Sequence, residues 1–72
     1  MDRPVDNATY NLLQTLTSKL EAIEAYSKYG SEADSELRQF FEDCKRSDEQ
    51  SVERLLQLLA TRLSARQPVG AR

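Results

Sequence analysis

Residues 25–41 read AYSKYGSEADSELRQFF, and this stretch decides how the rest of the chain is arranged. Glycine commonly ends a helix in a left-handed conformation, and Gly30 is placed to do so. Ser31 precedes Asp34 by three residues, which is the spacing of a capping box at the start of a new helix. Because such a short connection joins antiparallel neighbours, the sequence predicts an all-α antiparallel two-helix hairpin.

No Gly or Pro interrupts the chain within either predicted helix. At the first helix start, Asp6 or Asn7 has a side chain that can accept from free backbone N–H groups. A capping pattern at Ser47 leaves a break in the second helix open, but the apolar phase continues through that point and favours one unbroken helix. The predicted bounds are an N-terminal arm at 1–6, a hairpin over 7–66 (first helix about 7–29, turn 30–32, second helix about 33–66) and a flexible tail at 67–72.

Apolar residues form one broad stripe along each helix. In the second helix their spacing is mainly 3, 4, 4, close to eleven residues per three turns, which suits nearly straight helices. Two such stripes packed together leave an open apolar side, which a second hairpin would cover in a homodimeric four-helix bundle. The residues that we expect in the core and dimer interface are Leu12, Leu16, Leu20, Ile23, Tyr26, Leu37, Phe41, Cys44, Val52, Leu55, Leu59 and Leu63.

The size and composition of the chain favour self-association. A 72-residue chain rarely builds a core worth more than about 3–5 kcal/mol, so small folds add a disulfide, a metal or a partner. The single cysteine, Cys44, cannot form an internal disulfide, and the lack of histidine excludes a Cys/His zinc site. Without histidine there is also no Ser–His catalytic arrangement.

The charge and hydropathy patterns indicate a cytoplasmic protein. A net charge of −2 gives no electrostatic footprint for nucleic acid or for an anionic membrane. There is no run of about 18 apolar residues to span a bilayer. The N-terminus also lacks the basic and apolar regions of a secretion signal.

Two charged residues, Lys19 and Asp48, fall inside the apolar stripes at a similar distance from the turn. A charge in a bundle core is costly unless it is paired, so the sequence predicts a buried or half-buried ion pair, within one hairpin or across the dimer. The alternative is that Lys19 extends its ammonium to the rim while Asp48 faces water beside Ser51.

The segments from Leu16 to Tyr26 and from Phe41 to Leu55 together resemble a helical hairpin of the ferritin-like and rubrerythrin-like superfamily. In that family an inward Glu precedes a small residue by three positions and a Tyr by seven, and the second helix carries an inward Glu-x-x-His. These groups hold a di-iron centre within four helices, in some members assembled from two identical hairpins. The matching small residue and tyrosine are Ala22 and Tyr26, whereas the ligand positions hold Lys19, Asp48 and Ser51.

The resemblance implies a four-helix bundle whose metal ligands have been lost. We therefore expect no catalytic residues, no metal site and no cofactor, and an interaction or structural role as a homodimer without nucleic acid or membrane partners. Two alternatives remain. One is a metal-binding or oxidoreductase protein of the same fold with a carboxylate-only site. The other is a small helical adaptor or regulator that binds a different protein through its apolar face.

Overall fold

The computed structural model describes residues 5–65, which form two α-helices packed antiparallel. Helix α1 spans Asn7–Ser31 and helix α2 spans Ser35–Ala65. The hairpin measures 55 × 20 × 14 Å, so it is a flat layer one helix thick. The predicted all-α antiparallel hairpin is confirmed, and α2 is unbroken at Ser47. Most of the predicted arm at 1–6, the last predicted helical residue and the tail at 67–72 lie outside the described residues.

The turn lies two residues later than the sequence predicted, because α1 continues through Gly30 to Ser31. The prediction of a left-handed Gly30 is wrong: no described residue has a positive φ. The exposed carbonyls are satisfied in another way. The backbone N–H of Glu32 donates to the carbonyl of Tyr29 and that of Ala33 donates to the carbonyl of Gly30. Arg38 Nε also donates to the Gly30 carbonyl, at 3.2 Å. The helix therefore ends without a left-handed residue.

Both helix starts are capped by aspartate. Asp6 Oδ1 accepts from the backbone N–H of Thr9 at 2.8 Å, which selects Asp6 over Asn7 as the cap of α1. At α2, Asp34 Oδ1 accepts from the N–H of Leu37 at 3.0 Å. The predicted cap at Ser31 is wrong, since its hydroxyl donates to the carbonyl of Lys28 within α1. The carboxylate one residue before Ser35 is better placed to accept from the free N–H groups of α2.

The contacts of α2 with α1 recur every seven residues. Phe41 stacks on a tyrosine of α1, Asp48 accepts from a lysine of α1, Leu55 is buried, and Arg62 forms an ion pair with Asp6 at 3.6 Å. A seven-residue repeat is the pattern of coiled-coil contacts. The face of α2 that packs on α1 therefore follows a seven-residue repeat and not the eleven-residue spacing of the apolar residues. Some of the apolar residues in that spacing lie beside the packed face.

The hairpin buries little of its predicted core. Only Leu55 and Leu59, at 6% and 5% exposed, are buried hydrophobic side chains among the described residues. Leu20, Leu37 and Leu63 are about half exposed, at 50%, 50% and 47%. These three flank the packed face of the single hairpin, and no other part of the described chain covers them. Their place in a core or dimer interface therefore stays a prediction. The remaining predicted core residues are partly exposed, namely Leu12, Leu16, Ile23, Tyr26, Phe41, Cys44 and Val52.

Candidate interaction surface

An ion pair lies at mid-height between the two helices. Lys19 Nζ of α1 donates to Asp48 Oδ1 of α2 at 3.0 Å. The side chains are 34% and 15% exposed, so the carboxylate is more enclosed than the ammonium. Both residues belong to one hairpin, which answers the question that the sequence left open. The Lys19 ammonium therefore donates to Asp48 while part of its side chain remains in contact with solvent.

The Asp43–Arg46 pair differs from this one in its surroundings. It lies within one turn of α2, with Arg46 Nη1 at 3.3 Å from Asp43 Oδ1. Both side chains are about 60% exposed. Exposed pairs of this kind contribute little to stability, since water and salt screen them. Of the two pairs, only the one at mid-height joins the helices.

A shallow, open depression of about 300 Å³ lies beside the Lys19–Asp48 pair. Its lining offers two hydroxyl groups, a tyrosine, a small apolar side chain and the ion pair. Asp48 is the only carboxylate in the lining, and it already accepts from Lys19. Across residues 5–65, no three His, Cys, Asp or Glu residues converge as metal ligands would. The lining residues are Thr15, Ser18, Lys19, Ala22, Tyr26 and Asp48.

Four rings form an aromatic cluster at the turn end of the hairpin: Tyr26, Tyr29, Phe40 and Phe41. Phe41 lies at the centre, with ring centroids 6.2 Å from Tyr26, 5.5 Å from Tyr29 and 5.4 Å from Phe40. Tyr29 is 47% exposed and Phe40 is 57% exposed. Sequence reasoning placed Tyr26 and Phe41 in facing stripes but missed the cluster. The signal was present in Tyr29 and Phe40, which lie two residues before the end of α1 and five residues after the start of α2, both close to the turn.

The seven-residue contact repeat leaves two edges, one on each side of the helix interface. In antiparallel coiled coils, equivalent flanking positions of the two helices lie on the same side. One edge, which we call the uncharged edge, carries no Asp, Glu, Lys or Arg. It includes Thr15 and Ala22, which line the depression. Its members on the two helices are Ala8, Thr15, Ala22 and Tyr29, and Leu37, Cys44, Ser51 and Leu58.

The opposite edge, which we call the mixed edge, carries both leucines and acids. Its leucines are substantially exposed, for example Leu13 at 39% and Leu56 at 51%. Its acids include Glu42 and Glu49, both exposed. The members of the mixed edge are Asp6, Leu13, Leu20 and Ser27 on α1, and Glu42, Glu49, Leu56 and Leu63 on α2.

Neither described helix is long and apolar enough to cross a membrane. No protein-family model, curated protein or solved structure matches the chain. The part of the ferritin-like resemblance that the structure supports is therefore the antiparallel helical hairpin. At the family's ligand positions, Lys19 and Asp48 bind each other, and Ser51 lies on the uncharged edge.

Proposed function

We propose that this chain is a non-catalytic, metal-free interaction or structural protein that acts as a homodimer, in which two hairpins form a four-helix bundle of the ferritin-like kind. The observation that carries the proposal is the contrast between burial and exposure in the hairpin. Two hydrophobic side chains are buried in the described residues, whereas nine large ones are between 37% and 57% exposed.

The dimensions of the hairpin suit a partner of its own size. A face of 55 Å by 20 Å has an area of about 1,100 Å². Stable protein interfaces bury about 800 Å² from each partner, so one covered face is large enough. A second hairpin would convert a single layer into the two-layer arrangement in which helices normally bury their apolar sides.

The Lys19–Asp48 pair supports the metal-free, non-catalytic part of the proposal. In a carboxylate-only metal site, the carboxylates converge on a cation. Here the cation beside Asp48 is the ammonium of Lys19, whose Nζ lies 3.0 Å from Asp48 Oδ1. The ion pair is a polar interaction between the two helices, and the positive charge of Lys19 balances the carboxylate that a metal would need.

Sedimentation equilibrium and light scattering test the homodimer at micromolar concentrations. We expect a mass of about 16.4 kDa, twice the 8.2 kDa of one chain, and a melting temperature that rises with protein concentration. A folded monomer with a cooperative, concentration-independent transition would contradict the proposal. Elemental analysis after dialysis against chelator tests the second part, and one or more equivalents of retained iron, manganese or zinc would overturn it.

The aromatic cluster favours a second candidate, an adaptor that binds a different protein. Tyr29 and Phe40 are about half exposed, and aromatic residues are enriched in protein interfaces. The same sedimentation experiment separates the two candidates, because an adaptor whose apolar surface awaits a different protein remains monomeric alone.

A further inference from the structure

The proposed homodimer has a preferred face and a preferred direction, and this inference rests on the proposed function. We propose that the second copy packs on the uncharged edge, with its turn at the opposite end of the bundle. In this arrangement a two-fold axis lies in the interface between the two copies, perpendicular to the helices, at the height of the Lys19–Asp48 pair.

Charge selects the face. The uncharged edge presents eight positions over the length of the hairpin without Asp, Glu, Lys or Arg. Packing on the mixed edge would instead place Asp6, Glu42 and Glu49 against a second copy that carries the same three acids. Taking charges out of water is costly, and like charges across an interface repel each other. The uncharged edge avoids both costs.

Shape supports the same face. Small side chains occupy the middle of the uncharged edge, with Ala22 on α1 and Ser51 on α2, and the depression lies beside them. Larger ones lie towards the two ends, namely Leu37 and Leu58, which are 50% and 37% exposed. Small residues in the centre let two helical layers approach closely, while larger residues at the ends fill the space between them.

The positions of the two leucines fit a two-fold axis at mid-height. Leu37 precedes Asp48 by eleven residues (48 − 37), and Leu58 follows it by ten (58 − 48). An axis at Asp48 therefore brings Leu37 of one copy beside Leu58 of the other, twice in the dimer. The same symmetry places the aromatic cluster of each copy beside the open end of its partner, where Ala8 leaves room for it.

The distribution of charge selects the direction. Residues 21–43, around the turn, contain seven acids and two bases, a net charge of −5. The other described residues, 5–20 and 44–65, contain four acids and five bases, a net charge of +1. A parallel dimer would set two −5 ends side by side. An antiparallel dimer sets each acidic end beside a slightly basic region, within the roughly 8 Å over which charges interact at physiological salt.

The direction is tested by measuring a distance between spin labels. The full chain would carry Cys44→Ser and a single label at Ser31→Cys, an exposed position next to the turn. Ser31 lies twelve residues from Lys19 (31 − 19), or about 18 Å along the helix, so two labels in the antiparallel dimer lie about 36 Å apart along the bundle. A parallel dimer would bring them within about 20 Å, the width of the bundle, and that short distance would overturn the proposed direction.

The face is tested by adding a carboxylate to each edge of the same helix. Leu58→Glu places it on the uncharged edge, and Leu56→Glu, two residues away, places it on the mixed edge as a matched control. We expect Leu58→Glu to weaken the dimer dissociation constant at least a hundredfold and Leu56→Glu less than tenfold. The reverse order would assign the interface to the mixed edge and overturn this part of the inference.

A second pair of variants keeps the test valid if Leu58→Glu does not fold. Thr15 is exposed on the uncharged edge and Thr17 is exposed on the outer side of α1, so Thr15→Glu and Thr17→Glu leave the packed face intact. Helical circular dichroism checks that each variant is folded. Dimer loss in Thr15→Glu alone supports the face, and equal affinities contradict it while leaving the homodimer itself in place. A parent chain that is monomeric throughout overturns the proposed function.

Discussion

The two ends of the hairpin are held together by different interactions. At the open end, where the described chain begins and ends, Leu55 and Leu59 are 6% and 5% exposed, and Thr9 is 1% exposed. At the turn end, ring contacts and helix caps hold the helices, and Phe40 remains 57% exposed. Apolar burial stabilises a fold far more than contacts between exposed groups. The comparison therefore indicates that the open end supplies most of the stability, whereas the turn end fixes the geometry.

The largest expected effect tests this comparison directly, by truncating one hydrophobic residue at each end. Leu59→Ala removes a buried side chain and should lower the free energy of unfolding by about 2–5 kcal/mol. Phe40→Ala removes a larger side chain that is mostly in water, and should cost about 1 kcal/mol or less, mainly through its contact with Phe41. Denaturant titration at one protein concentration measures both. Equal losses, or a larger loss for Phe40→Ala, would contradict the assignment of stability to the open end.

The second largest effect concerns the Lys19–Asp48 pair, which lies between the open end and the turn end. Breaking a buried pair costs about 3–5 kcal/mol and exposed pairs couple by about 0.2–1 kcal/mol, so this half-buried pair should couple by about 1–3 kcal/mol. The two single variants should differ. Lys19→Met leaves the enclosed carboxylate unpaired, whereas after Asp48→Leu the lysine extends into water. We expect Lys19→Met to be the more destabilising.

A double-mutant cycle with Lys19→Met, Asp48→Leu and the double variant measures the coupling. The Asp43–Arg46 pair serves as the control, since its side chains are about 60% exposed and its coupling should not exceed about 0.5 kcal/mol. Additive effects at Lys19 and Asp48 would show that the pair is solvated. The suggestion that this ion pair takes the place of a metal site inside the bundle would then fail.

The smallest effect is a gain in stability at the turn end. Gly30 is helical, and a methyl group added there would lie 3.9 Å from Phe41 Cβ and 4.0 Å from Arg38 Cγ, which are ordinary van der Waals distances. Because glycine is less favourable than alanine within a helix, Gly30→Ala should raise the free energy of unfolding by about 0.5–1 kcal/mol. A left-handed glycine would give the opposite sign. A lower melting temperature in Gly30→Ala would therefore indicate that Gly30 has the left-handed conformation that the sequence predicted.

Sequence periodicity was sufficient for the helices, their antiparallel packing and the continuity of α2, because each depends on local patterns. The turn was misplaced because Gly30 was predicted to end α1 and Ser31 to cap α2, whereas Glu32 and Asp34 occupy these positions. Residue propensities do not distinguish between such neighbouring hydrogen-bond patterns. The positions of Lys19 and Asp48 were predictable from phase and distance to the turn. The unequal exposure of these two side chains was not predictable, since it depends on which side chains flank the helix interface.

The hairpin topology also implies an order of assembly, because each pair of contacting residues closes a loop through the single turn. Tyr29 and Phe41 close a loop of 12 residues (41 − 29), whereas Asp6 and Arg62 close one of 56 (62 − 6). The longer loop costs about 1.4 kcal/mol more in chain entropy. We therefore expect the helices to zip together from the aromatic cluster towards the termini. The best-buried leucines join late, so truncating Leu59 should mainly accelerate unfolding and leave the folding rate nearly unchanged.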